Sequence, residues 1–165
     1  MRTIREGVFE TNSSSTHCVS ICRPFEQRDY KYSIEELKGW IEPDGFLHVD
    51  LGEFGWGIDK FTDPRTKLSY LLTMLMEVNH LCSFYNSKVN FEDIERLSEW
   101  DDINNLIKET LNCDGIQIDN FSGYIDHQSY EDYGSVQDFL SEWGCTMEQF
   151  IFDDNTILII DNDNH

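Results

Sequence analysis

The chain has 165 residues, 39% of them hydrophobic and 13% aromatic, enough for one domain with a core of its own and too apolar for a disordered segment. Its formal charge is −20, from 32 acidic and 12 basic residues, which argues against direct binding to DNA, RNA or an anionic membrane. The imbalance is local: residues 1–89 hold 13 acids and 10 bases, whereas residues 90–165 hold 19 acids and two bases. Five cysteines, no signal peptide and no apolar run of membrane-spanning length suggest a cytoplasmic protein with reduced thiols.

In chain order, residues 1–9 form an opening strand or extended arm. Residues 10–17, Glu-Thr-Asn-Ser-Ser-Ser-Thr-His, contain no apolar member. Asn and Ser side chains bond their own neighbouring backbone, so this stretch is a turn. It offers hydroxyls, an amide, an imidazole and backbone N–H groups that could cradle an oxyanion. Cys18 to Cys22 is a strand. Ser33 and Glu36 match a capping box, and Ile34, Leu37 and Ile41 make the stripe of a short helix at 34–41, stopped by Pro43 and Gly45.

Alternation from Phe46 to Leu51 predicts a strand, with His48 on its solvent face. Gly52 to Gly57 sets three glycines around Phe54 and Trp56, which either seal the core or form a contact platform. Asp63-Pro64 opens the strongest helix, about 64–84, with Leu68, Leu71, Leu72, Leu75, Val78 and Cys82 on one face. Asn90 caps a helix at 91–99, and Asp101 caps another at 102–112. Residues 115–120 form a strand, and Ser122-Gly123 turns the chain into a hairpin partner at 124–127. Ser135 caps a helix at 136–143 ended by Gly144, Thr146 opens a short turn, and Thr156 to Ile160 is a buried strand. The whole is α+β: a single domain in which a small mixed or antiparallel sheet packs against several short helices and one long core helix.

The stretch Arg5-Glu6-Gly7-Val8-Phe9-Glu10-Thr11-Asn12-Ser13-Ser14-Ser15-Thr16-His17 resembles the opening of small, largely uncharacterised proteins encoded by bacteriophages and prophages, mostly of Firmicutes. Gly52-Glu53-Phe54-Gly55-Trp56-Gly57 and Ile125-Asp126-His127-Gln128-Ser129 are similar to later stretches of that family. Cys18 departs from its pattern, which has Ser after the His. The resemblance implies a phage accessory protein working in the host cytoplasm, and no particular reaction.

Three kinds of chemistry are open. Mimicry of nucleic acid is the first: carboxylates can pair with Arg and Lys of a partner. The acidic helices supply Glu92, Asp93, Glu95, Glu99, Asp102, Glu109, Asp138 and Glu142. The partner expected is a host protein with a basic nucleic-acid-binding surface, a CRISPR effector nuclease being the best single case. A metal site is the second. The chain has no CxxC, but His17, Cys18, Asp126 and His127 are the ligand types zinc takes. Nucleophilic catalysis is the third, with a serine of 13–15, His17 or His127 as base and Asp126 as orienter. Neighbouring Asp126 and His127 in a strand point to opposite faces and cannot pair directly. The polar motifs together single out Glu10, Asn12, Ser14, His17, Glu53, Trp56, Asp126 and His127.

Overall fold

The computed structural model describes residues 15–21, 30–55, 59–81, 91–126 and 133–162, with only the backbone of 15–21 and 161–162. One core is built around helix α2, Pro64–Val78. Asp63 caps it by accepting the Thr66 N–H at 2.7 Å, and Pro64 takes the first helical position. From Lys67 to Glu77 every residue of α2 is buried, so the helix is enclosed on all sides rather than on one stripe. It ends six residues before the expected 84. Asn79 follows, His80 takes the left-handed conformation with φ 56°, and the N–H groups of His80 and Leu81 bond the carbonyls of Glu77 and Met76. That is the usual hydrogen-bonded helix stop, with a histidine where glycine is the common choice. Cys82 lies outside the described residues.

Six helices and seven strands make an α+β fold among the described residues. In the antiparallel sheet, β7 (Thr156–Asn162) runs between β1 (Ser15–Ile21) and β4 (Asp59–Phe61). A second ladder is parallel. Strand β2 (Phe46–Asp50) pairs with β5 (Gly115–Asn120), and β3 (Glu53–Phe54) pairs with β6 (Tyr124–Ile125). Bonds from Leu51 N to Asn120 O, Tyr124 N to Gly52 O and Asp126 N to Phe54 O join the two pairs into one run. The crossover that a parallel pair needs is long here and holds β4, α2, α3 (Phe91–Ile94) and α4 (Ser98–Leu111). Helix α2 packs against α1 (Lys31–Lys38), α5 (Val136–Glu142), α6 (Met147–Phe152), β2 and β6. Between them sits an aromatic cluster, with Tyr70 against Phe54, Phe139 and Phe150.

The expected hairpin of 115–120 with 124–127 does not form. Gly123 sits so close to Leu51 that a Cβ there would come within 2.3 Å of the Leu51 Cβ, and the chain jogs sideways to continue along β3 instead. Ser33 does not cap α1. The helix starts at Lys31, two residues earlier, and the buried Ser33 hydroxyl donates to Asp154 at 2.6 Å. The expected helix at 91–99 is broken at 95–97, and α4 begins at Ser98, which places Asp101 in its first turn rather than at its cap.

Candidate functional site

Residues of α3, α4 and α5 bring carboxylates together around the N-terminus of α4. Phe91 of α3 meets Trp100 of α4 edge to face at 5.4 Å, which ties those two helices. Glu99 of α4 accepts the backbone N–H of Gln137 at 3.0 Å, which ties α4 to the first turn of α5. Glu92 is exposed on α3 and Glu95 in the turn that follows it, Asp102 on α4, and Asp138 and Glu142 on α5. Asp93 is half-buried and pairs with Arg96 at 3.7 Å. Glu109 is exposed seven residues beyond Asp102, two turns along the same side of α4. Asp101, in the first turn of α4 rather than at its cap, is exposed beside Asp102 and joins this acidic shelf. Glu92, Asp93, Glu99, Asp101 and Asp138 lie in first helical turns, where the helix dipole favours negative charge.

The polar motifs meet elsewhere. Glu53 and Phe54 lie against Tyr124 and Ile125 in parallel register, so two stretches some seventy residues apart run side by side. Gly55 and Asp126 follow at the carboxyl ends of these strands, the position where parallel sheets commonly hold ligands. Gly55 has φ 108°, and a Cβ on it would lie 2.6 Å from the Asp126 Cβ, so the close approach needs glycine. Glu53 is exposed and Asp126 half-buried. The ladder is anchored by Glu77, a buried carboxylate at the end of α2 that accepts the Ile125 N–H at 3.2 Å.

His17 is on β1 opposite Ile160, and Ile160 is also opposite Asp59 of β4, so His17 and Asp59 occupy one row of the antiparallel sheet. Cys18 pairs with Ile159. The side chains of His17 and Cys18, and all of Glu10, Asn12, Ser14, Trp56 and His127, lie outside the described residues. Among the described residues no group of three or more His, Cys, Asp or Glu is placed to hold a metal ion, and the side chains of three of the four expected zinc ligands, His17, Cys18 and His127, are not described.

Two features were not anticipated. One is a cleft of about 480 Å³ between α1 and the start of α2, lined by Tyr32, Glu36, Thr62, Asp63, Pro64 and Asp154. Partial burial, then the charges of Asp63 and Asp154, raise the Glu36 pKa. The other concerns His48, which lies on the outer face of β2 as expected, with Leu47 and Val49 buried on the other, but stands between Asp44 and Asp119. No described helix is long and apolar enough to cross a membrane. Comparison with protein-family models, with curated proteins and with solved structures finds no match for the chain.

Proposed function

We propose that the protein is a non-catalytic inhibitor that occupies the basic nucleic-acid-binding surface of a host complex and so blocks nucleic-acid loading. The observation that supports this is the acidic shelf: Glu92, Asp101, Asp102, Asp138 and Glu142 lie exposed on three helices tied together at the N-terminus of α4, with Glu95 exposed in the turn between the first two. Carboxylates so arranged can pair with the arginines and lysines that otherwise hold phosphates. The resemblance of the opening to phage-encoded proteins makes the partner a host machine, a CRISPR effector nuclease being the leading case. Long-range attraction would speed encounter, and the quality of contact would set residence time.

The test is capture of the partner from host lysate on the immobilised chain, followed by elution in a salt gradient. Charge mimicry predicts release as salt rises, competition by an oligonucleotide, and weakened capture by Asp101→Lys with Asp102→Lys. Capture indifferent to salt and to oligonucleotide sinks it.

The meeting of β3 with β6, which sets Gly55 against Asp126, supports a second function, an enzyme or zinc protein that would use the 10–17 loop with Asp126 and His127. It predicts stoichiometric zinc by elemental analysis of the purified chain, or an activity lost in His17→Ala and His127→Ala with the fold intact. Absence of zinc, together with capture unaffected by both substitutions, counts against it.

A further inference from the structure

His48 stands in the middle of β2, paired with Gln117 of β5. Its Nδ1 lies 2.9 Å from both oxygens of Asp119, and its Nε2 lies 3.0 Å from Asp44 Oδ2. A neutral imidazole carries one N–H and one bare lone pair. A carboxylate only accepts, so both contacts can be hydrogen bonds only while the ring carries two protons and a positive charge.

The two carboxylates come from different parts of the chain, and each is aimed by its own backbone. Asp44 lies in the turn before β2, where its Oδ1 accepts the Phe46 N–H at 3.1 Å. The turn is closed by bonds from Gly45 N to Glu42 O and Glu42 N to Phe46 O. Asp119 is the extra residue of a bulge: Val49 pairs with Ile118 and Asp50 with Asn120, which leaves Asp119 without a partner across the ladder. Bulges are uncommon in parallel pairs and serve to re-aim a side chain. Here the re-aimed side chain reaches His48.

We propose that Asp44, His48 and Asp119 form a proton-operated clamp, which fastens the turn at residues 42–46 to the bulge of β5 while His48 is charged and lets go of one arm when it is not. Loss of the proton takes the trio from a net charge of −1 to −2. The freed ring nitrogen then turns a lone pair toward a carboxylate, which is repulsive. Among the described residues no cation relieves the pair: the charged groups acting on His48 are Asp44 and Asp119. Asp50 lies two residues on along the same strand, and Asp114 lies against Gly45. The electrostatics agree with the geometry. The Asp44 hydrogen bond first, and then that of Asp119 and both charges, raise the His48 pKa above the usual 6.5 against the opposing effect of desolvation. Asp44 is lowered by the Phe46 N–H and then by His48. A folded pKa above the unfolded one gives a stabilisation complete below pH 6.5, which disappears as pH rises through the folded value.

The experiment is an NMR titration of the full chain that follows the ring protons of His48, assigned by comparison with His48→Gln, and the amides of Asp44, Phe46, Asp119 and Asn120. The clamp predicts a His48 midpoint above 6.5, with the amides of both arms moving at that same midpoint. It also predicts that Asp44→Asn and Asp119→Asn each lower the midpoint. A wild-type midpoint at or below 6.5, or an arm whose amides do not follow the ring, overturns the proposal, and neither result depends on a variant that folds.

Discussion

Lys67 lies in the most enclosed part of the molecule. It is 0% exposed on α2, and its ammonium donates to the carbonyl oxygens of Asp153 at 2.9 Å and Thr156 at 3.3 Å. Burial lowers its pKa from 10.5 to about 8, with Asp154, Asp153 and Asp63 pulling the other way. That gap, at about 1.4 kcal/mol per pH unit, makes the buried charge cost about 3 kcal/mol. The unfolded chain keeps this proton up to 10.5 while the folded chain gives it up near 8, so the unfolded state binds more protons across that window. Stability from this group is therefore flat below the folded value and rises by about 3 kcal/mol as pH climbs to the unfolded one.

The assay is urea unfolding of the wild type and of Lys67→Met at pH 7, 9 and 10.5, read as the difference between the two chains. Tyr70, whose pKa burial raises, is present in both chains and cancels. At pH 7 the methionine removes the charge cost of about 3 kcal/mol but loses two bonds from a charged donor, worth about 1.5–3 kcal/mol each. Asp153 O keeps the Thr156 N–H at 2.9 Å, so it is not left bare. The variant should lie between equal to wild type and about 3 kcal/mol below it at pH 7, and lose about 3 kcal/mol more to it by pH 10.5. A difference that stays constant with pH would show that the folded Lys67 titrates where the unfolded one does, and would refute the reasoning.

Gly55→Ala should cost about 1–3 kcal/mol in urea unfolding, because alanine is strained at φ 108° and its Cβ would press on Asp126; a neutral substitution would place the two strands farther apart. Glu77→Ala should cost about 1–3 kcal/mol by leaving the Ile125 N–H buried without an acceptor, whereas Glu77→Gln keeps a carbonyl oxygen there and should cost less; equal losses would make the bond irrelevant. Phe139→Ala should cost about 3–5 kcal/mol, since the ring is fully buried against Tyr70, Tyr133 and Phe150, and a loss under about 1 kcal/mol would mean that the cluster collapses to fill the space.

Where a signal in the chain is local, the structure follows it. Asp63-Pro64 starts α2, Ser135 caps α5 through the Asp138 N–H, and Gly144 ends that helix with φ 62°. The misreadings share a cause, which is a partner far away in sequence. Ser33 has the spacing of a capping box, but its hydroxyl is taken by Asp154, 121 residues away. Alternation at 115–120 and 124–127 marks strands without saying which strand they join, and the partner lies far upstream across the crossover. His80 ends α2 in a conformation glycine adopts more easily, so no residue type announced the stop. At 146–149 the opposite occurred: Thr146 and Gln149 form a complete capping box, a local signal present in the chain and read only as a turn. The site shows the same division. The acidity of residues 90–165 is plain in composition, while the ties of α3 and α5 to α4 are tertiary. The clamp on His48 depends on a bulge that no residue type on β5 specifies.

The described carboxylates divide by what holds them. Asp63 caps α2, Glu77 and Glu99 accept backbone N–H groups, Asp153 accepts from Asn155, Asp154 from Ser33, and Asp44 and Asp119 hold His48. These charges are explained by the fold. Glu109 is different: it is exposed in the last turns of α4, where the helix dipole disfavours a negative charge, and it makes no hydrogen bond or ion pair among the described residues. A residue that costs its own helix a few tenths of a kcal/mol, up to about 1, has its use outside the fold if it has one. Glu109→Lys separates the alternatives. The substitution should raise the stability of the free chain by about 0.3–1 kcal/mol, most at low salt, and at the same time weaken capture of the basic partner. Stabilisation with capture unchanged would assign Glu109 to solubility alone and confine the binding surface to the N-terminal end of α4.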